Sequence, residues 1–206
     1  MAQNFDWKTF KLFLKKVIVF KSKTSFIYIN ADGWEEAIFF ALKKMGENPE
    51  WRLGSHEKGA DVKISKFAIS AKAGKIENGH LTLSSYRLTR YKNIAEMTKF
   101  INGEINYDFY LCCARIRLGD GGRKYSVFRV PSSVFKPRAE GWKKYQNKNG
   151  DEAGWQYIQT NGVNARIVRK MSNQLWMDIP LKLCEELFSV SFSKNELGSD
   201  LEQIFE

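Results

Sequence analysis

Cysteine and histidine are scarce in this sequence. Its 206 residues include three cysteines and two histidines. Cys112 and Cys113 are adjacent and Cys184 is remote, which gives neither an even disulfide framework nor the paired spacing of a structural zinc site. The pattern argues against a disulfide-rich secreted domain and against a zinc finger. We therefore expect a reducing, cytoplasmic environment.

The sequence also lacks a long apolar run. The best candidate near the start, from Phe10 to Phe20, is interrupted by Lys15 and Lys16 and has no small-residue cleavage site after it. No stretch approaches the ~20 apolar residues that span a bilayer. We expect neither export nor a membrane partner.

Acidic residues are outnumbered by basic ones. The 33 Lys and Arg residues against 23 Asp and Glu give a formal net charge of +10. Such an excess favours a polyanionic partner, because basic side chains bind phosphates and release counterions. Nucleic acid is the first candidate, although ribosome-associated and membrane-surface proteins share this balance. The hydrophobic share of 43% is that of an ordinary globular protein, and we expect a single domain over residues 1–206.

Apolar periodicity predicts helices around a sheet. Apolar side chains recur at helical spacing from Trp7 to Ile18 and from Trp34 to Met45, and a third helix is predicted from Asn93 to Ile101. Strands are predicted in YDFYLCCARIR and at Tyr125–Val130, Gln156–Thr160, Val163–Val168 and Leu175–Ile179. The polar stretch 136–154 is predicted to be a long surface loop. This order indicates an α/β fold, with a mixed central β-sheet flanked by helices.

The segment GADVKISKFAISAKAG predicts a hairpin with one apolar and one polar face. Its alternation fits two short strands around a tight turn at Ser65-Lys66. The apolar pairs of this register are Val62 with Ile69 and Ile64 with Phe67. The same register places Asp61 opposite Ser70, and Lys72 lies on the face of Ser70. A carboxylate, a hydroxyl and an ammonium are thus predicted to meet across the strands.

This cluster suits the hydrolysis of a phosphodiester bond. A carboxylate such as Asp61 can hold a magnesium ion, and Lys72 can orient the attacking water or stabilise developing charge. Magnesium usually takes one or two carboxylates, so a second acid is expected. Glu36, in the first turn of the second predicted helix, is preferred over its neighbour Glu35. Glu77, in a predicted loop that follows the hairpin, is the rival.

These residues carry a family resemblance. Asp61, followed by Ser70-Ala71-Lys72 on a strand after a Glu-bearing helix, resembles the PD-(D/E)XK nuclease superfamily, especially type II restriction endonucleases, over about Glu35 to Arg115. The resemblance implies that Asp61 binds magnesium, that Lys72 assists the attacking water and that a helix Glu completes the site. Ala60 replaces the proline usual before the Asp, and Ser70 stands where an acid is usual.

The resemblance implies a restriction-endonuclease-like fold and a magnesium-dependent endonuclease that cuts double-stranded DNA at a short specific sequence. A homodimer is expected because two strands are cut, and a companion DNA methyltransferase is expected to be encoded nearby. Two alternatives remain open: an inactive DNA-binding module on a nuclease-like fold, and a repair or junction nuclease. From spacing alone, Asp61 and Lys72 could also be a solvated surface pair worth ~0.2 to 1 kcal/mol.

Several basic and hydroxyl side chains are candidates for DNA contact. In SSYRLTRYK, Arg87 and Arg90 would share a side if the segment were helical, and arginine can bond guanine in two-point fashion. The other candidates in this segment are Ser85, Tyr86 and Lys92. Further candidates are Lys143, Lys144, Arg166 and Arg169. All of them could instead contact only phosphates or solvent.

Overall fold

Four α-helices are present in the part of the chain that the computed structural model describes, residues 5–51, 60–103, 107–146 and 149–202. They are α1 (Trp7–Lys23), α2 (Ala31–Lys44), α3 (Ile94–Gly103) and α4 (Ser199–Glu202). Helix α1 begins after Asp6, whose carboxylate accepts a hydrogen bond from the Thr9 N–H at 3.0 Å. Helix α2 begins after Asn30 in the same way, with the Gly33 N–H at 2.9 Å. The three predicted helices are confirmed as α1, α2 and α3.

The described residues also form one sheet of eleven strands. The strands are β1 (Glu50–Trp51), β2 (Val62–Ile64), β3 (Phe67–Glu77), β4 (His80–Arg87), β5 (Phe109–Arg117), β6 (Arg123–Pro131), β7 (Lys143–Gln146), β8 (Glu152–Ile158), β9 (Asn164–Val168), β10 (Gln174–Pro180) and β11 (Glu185–Phe192). Their order across the sheet is β11-β6-β5-β3-β4-β10-β9-β8-β7, while β2 pairs with both β1 and β3. Strands β3 and β5 are parallel and the other pairs are antiparallel, which confirms an α/β fold with a mixed sheet.

Two hydrophobic cores lie on opposite sides of this sheet. The first is formed by α1 and α2 against β2, β3, β5, β6 and β11, and includes Leu14, Trp34 and Leu111. The second is formed by α3 and neighbouring loops against the other side, and includes Leu83, Phe100 and Met177. Neighbouring residues of one strand therefore contribute to different cores, as the two-residue period of a β-strand requires. Among the described residues, no helix has the length and apolar character needed to cross a bilayer.

The surface loop expected over residues 136–154 differs from the structure. Strand β7 lies within it and pairs with β8, which begins at Glu152. Trp142 is only 8% exposed, and its ring packs against Phe135 and Tyr157. Burial of this indole fixes the segment against the second core, so the chain is held as a strand despite its polar composition.

The loop expected over Ala73–Gly79 and the helix considered for SSYRLTRYK are replaced by strands β3 and β4. Strand β3 continues to Glu77, and Asn78 and Gly79 turn the chain with φ values of 48° and 74°. Asn-Gly favours such positive φ values and a two-residue hairpin turn. Strand β4 then runs to Arg87, so Arg87 and Arg90 do not share a helix face.

Candidate active site

The hairpin of β2 and β3 has the register expected from its alternation. Val62 pairs with Ile69 and Ile64 pairs with Phe67, around a turn at Ser65-Lys66. The backbone N–H of Asp61 donates to the Ile69 carbonyl at 2.8 Å, which extends the ladder by one step. Asp61 therefore reaches Ser70 across the strands as expected.

Strand β3 changes partners beside this hairpin. On one edge it pairs with β2 from Phe67 to Ile69, and on the same edge with β4 from Gly74 to Glu77. Its other edge pairs with β5 from Ile69 to Gly74. Residues 70–73 thus have no strand partner on the first edge, because β4 beyond Leu83 follows β10 instead. We call this gap between β2 and β4 the split.

The Asp61 carboxylate fills the split. Its Oδ2 atom accepts hydrogen bonds from the Ala71 backbone N–H at 2.7 Å and from the Ser70 hydroxyl at 3.2 Å. The Lys72 ammonium donates to the same oxygen at 3.1 Å. Ala71 would otherwise present an unpaired N–H there, so the acid has a structural partner that fixes its position. Among the described residues, the other oxygen, Oδ1, accepts no hydrogen bond.

Glu35 is the helix glutamate that the structure brings to Asp61. Glu35 lies near the start of α2, and the Trp51 indole N–H donates a hydrogen bond to its Oε2 at 3.2 Å. Burial raises the pKa of Glu35, and the nearby negative charge of Asp61 raises it further. The Trp51 hydrogen bond and the positive charge of Lys72 oppose this rise. The three charged groups therefore share one electrostatic environment.

The other two glutamates considered for the metal do not reach Asp61. Glu36, the preferred candidate, instead forms an ion pair with Lys21 of α1. Glu77 lies at the far end of β3, roughly 23 Å from Ser70 at ~3.3 Å per residue, and pairs with Lys75 at 2.6 Å. Of the three acids, Glu35 is the one whose pKa responds to the charge of Asp61.

One helical spacing in the sequence is consistent with this difference. Glu35 and Phe39 are four residues apart on α2, and residues at this spacing lie on one helix face. Phe39 packs against Trp51, with ring centroids 5.3 Å apart, so this face is turned toward the strand that leads to the hairpin. The position of Trp51 itself depends on the tertiary fold.

The donors at the split fit magnesium. Asp61 and Glu35 supply two carboxylates, the number that magnesium commonly takes while it keeps water and phosphate oxygens as its remaining ligands. The described residues contain no group of three or more His, Cys, Asp or Glu arranged for a metal ion. The arrangement is therefore a pair of carboxylates beside an ammonium. Ser70 adds a hydroxyl that donates to Asp61 rather than a third carboxylate.

No family model, curated protein or solved structure matches this chain.

The predicted DNA-contacting residues of SSYRLTRYK are divided by the structure. Ser85 hydrogen-bonds to the hydroxyl of Tyr110, and the Tyr86 hydroxyl lies 2.8 Å from that of Tyr107. These two side chains face the second core. Arg87 is exposed at the end of β4. Arg90 and Lys92 follow in the exposed turn before α3, where the Arg90 guanidinium lies 5.6 Å from the centre of the Tyr91 ring.

The remaining predicted contacts lie at the other end of the sheet. Lys143 is exposed on β7. Arg166 on β9 pairs with Asp178 on β10 at 2.9 Å. Lys144 and Arg169 both pair with Glu152, at 2.8 and 2.7 Å. These four cations are thus close in the fold but differ in how far their charges are already neutralised.

Proposed function

We propose that this chain is a magnesium-dependent endonuclease that hydrolyses double-stranded DNA at a short specific sequence, on a restriction-endonuclease-like fold. One observation carries the proposal: Asp61, Lys72 and Glu35 converge at the split in β3, and Asp61 is fixed there by the Ala71 N–H. A simple surface ion pair does not require the second carboxylate or the backbone donor.

In this proposal Asp61 and Glu35 would hold the magnesium ion. When bound, magnesium polarises the phosphate and lowers the pKa of a bound water. Overall, hydrolysis forms a bond from the water oxygen to phosphorus and breaks one bridging phosphorus–oxygen bond, and the proton that the water loses is balanced by a proton that the leaving oxygen takes from solvent. Lys72 orients this water or stabilises the negative charge on the phosphate oxygens. Ser70 acts through Asp61 as a positioning residue, because its hydroxyl donates to the carboxylate.

Lysine substitution gives the direct test. Lys72→Ala removes the ammonium from the split, and we expect plasmid cleavage in magnesium to fall at least ~100-fold, since removal of one charge-stabilising donor commonly costs 10²–10³ in rate. Binding to a labelled duplex should change little. Lys66→Ala, in the turn of the same hairpin, is the matched control and should cut normally. Full cleavage activity of the Lys72→Ala variant would contradict the proposed active site.

The alternatives give different products. Discrete fragments from plasmid DNA support a site-specific endonuclease, whereas binding without cutting supports an inactive module, for which Ser70 in place of an acid is the observation in favour. Cutting that follows branched or damaged structure rather than sequence supports a repair nuclease. A homodimer and a companion methyltransferase belong to the proposal as well, and light scattering and the neighbouring genes test them.

A further inference from the structure

Half of the sheet has a side that no described helix covers. On β4, β10, β9 and β8, apolar residues alternate into the second core, among them Leu83, Met177 and Ile167. The opposite side carries a row of cross-strand neighbours, Ser84, Trp176, Arg166, Gln156 and Lys143. The first core, which α1 and α2 cover, includes no residue of these strands. We call the side that carries this row the open face.

We propose that the DNA duplex docks on the open face, with the middle of the face in the major groove and the margins against the phosphates. The inference rests on the proposed nuclease function and assigns its recognition surface. The five strands from β4 to β7 span four interstrand spacings, or roughly 19 Å at ~4.8 Å each. The major groove is about 12 Å wide. A face of this width therefore reaches past the groove to both backbones.

The margins of the open face carry cations suited to phosphates. Arg87 is in register with Gln174 at the β4 margin, and Lys143 is in register with Gln156 at the β7 margin. Both side chains are exposed, and neither forms an ion pair with another described residue. Their charges are available to a polyanion, whereas the charge of Arg166 between them is paired with Asp178.

The middle of the open face carries the side chains that read bases. Arg166 donates to Asp178, and Gln156 donates to Asn164 at 2.9 Å. Asn164 in turn lies 3.4 Å from Asp178, so the four side chains form one oriented network. Arginine pairs with guanine, Asn and Gln pair with adenine, and Asp accepts from cytosine in the major groove. A network that is held in place before binding loses less conformational freedom on contact.

The open face reaches the split from the side of α2, whereas the Ser70 and Lys72 side chains leave β3 on the side of the second core, like their register partners Tyr110 and Cys112. Thr82 of the open face pairs with Lys75, and Lys75 lies on the same side of β3 as Ala71 of the first core. The open face is therefore on the α2 side of the sheet, and Glu35 belongs to α2. Glu35 therefore approaches Asp61 from the side of the open face, and Lys72 reaches the same carboxylate from the opposite side of the sheet.

Salt-dependent binding separates this surface from the catalytic site. Labelled duplexes carrying the cut sequence are titrated with the Lys72→Ala protein, so that cleavage does not interfere. Arg87→Ala and Lys143→Ala should each weaken binding of all sequences and reduce the slope of log K against log salt by about 1, because each removes one phosphate contact. Lys15→Ala, an exposed cation on α1, is the control and should leave the slope unchanged.

Sequence preference tests the middle of the face. Gln156→Ala should lower the preference for the cut sequence over its single-base variants by about 5- to 100-fold at one base pair, while binding to unrelated duplex stays the same. If wild-type protein binds and cuts DNA but the slopes and preferences of all three variants match those of their Lys72→Ala parent, the open face is not the docking surface and the nuclease proposal stands. If wild-type protein does not bind duplex DNA, both proposals fall.

Discussion

The two halves of the sheet are built differently. In the half around β3 and β5, helices and loops cover both sides, and β5 is buried continuously from Phe109 to Ala114. In the half from β4 to β7, one side is buried and the open face is not, so buried and half-exposed residues alternate along β9 and β10. A strand buried on both sides is held by packing on each, which suits a site that must be rigid. The open half keeps polar groups available for a partner.

Matched tryptophan substitutions give the largest expected contrast between the halves. Trp34 is fully buried under the covered half, and its indole N–H donates to the Leu111 carbonyl at 2.8 Å. Trp34→Ala should lower the free energy of unfolding by about 3–5 kcal/mol. Trp176→Ala, on the open face, should cost clearly less. Urea unfolding of both variants measures this, and equal losses would contradict the comparison.

The β3–β4 pair, where the two halves of the sheet join, should be nearly as sensitive to substitution. A Cβ at Gly74 would lie 2.9 Å from the Thr82 carbonyl oxygen, a backbone atom that cannot move without disturbing the β3–β4 pair. Gly74→Ala should therefore cost about 1–3 kcal/mol. Gly103→Ala is the control, because no atom of the described residues lies within 4 Å of its added Cβ. Thermal unfolding of the two variants measures the difference. A Gly74→Ala variant as stable as wild type would show that the β3–β4 pair can shift to accept a methyl group.

Glu35→Gln should change how stability depends on pH. The folded state raises the pKa of Glu35, so the ionised carboxylate destabilises the fold once the pH rises through that pKa. The glutamine variant should thus be more stable than wild type at pH 8, and this difference should vanish in acid, where Glu35 is protonated. Magnesium should raise the Tm of wild type but not of the variant.

Glu36→Gln is the natural companion to that experiment. Glu36 pairs with Lys21 away from Asp61, so its replacement should leave the magnesium effect on Tm intact. A variant of Glu36 that loses the magnesium effect, with Glu35→Gln unaffected, would return the metal site to the glutamate preferred from the sequence.

The smallest effect is expected on the open face itself. Ile158 is 71% exposed there, and Ile158→Ser should change the free energy of unfolding by less than ~0.5 kcal/mol. Ile167→Ser, on the buried side of the neighbouring strand, should be strongly destabilising because it places a hydroxyl in the second core. Chemical denaturation of these two variants measures the difference in burial between the two sides of this half of the sheet. Equal losses of stability would contradict the comparison.

Local patterns predicted the hairpin well, because its register depends only on alternation and a two-residue turn. The sequence does not decide between Glu35 and Glu36, because adjacent helix residues point about 100° apart and the packing of α2 sets which of them faces the hairpin. Which glutamate holds a metal ion stays a prediction. The Asn78-Gly79 turn was available in the sequence and marks a hairpin. Strand β4 was missed because its far end pairs with β10, about ninety residues later.

Long-range contacts also explain the errors at the far end of the sheet. The 136–154 stretch is polar, and the packing of Trp142 against Phe135 and Tyr157 shows why its described part includes strand β7. In the sequence, Lys144 and Arg169 cannot be told apart from Lys143 and Arg87. In the structure, Glu152 forms ion pairs with Lys144 and with Arg169. Composition predicts that cations exist, whereas the fold decides which of them are already paired.

The change of partner along β3 leaves one amide proton in an unusual position. In a continuous ladder the Ala71 proton would be shielded by a neighbouring strand, but here a carboxylate oxygen of Asp61 receives it. Its exchange with deuterium and its NMR chemical shift should follow the charge of Asp61 and anything bound to it. A single backbone resonance thus becomes a probe of the site that needs neither substrate nor turnover.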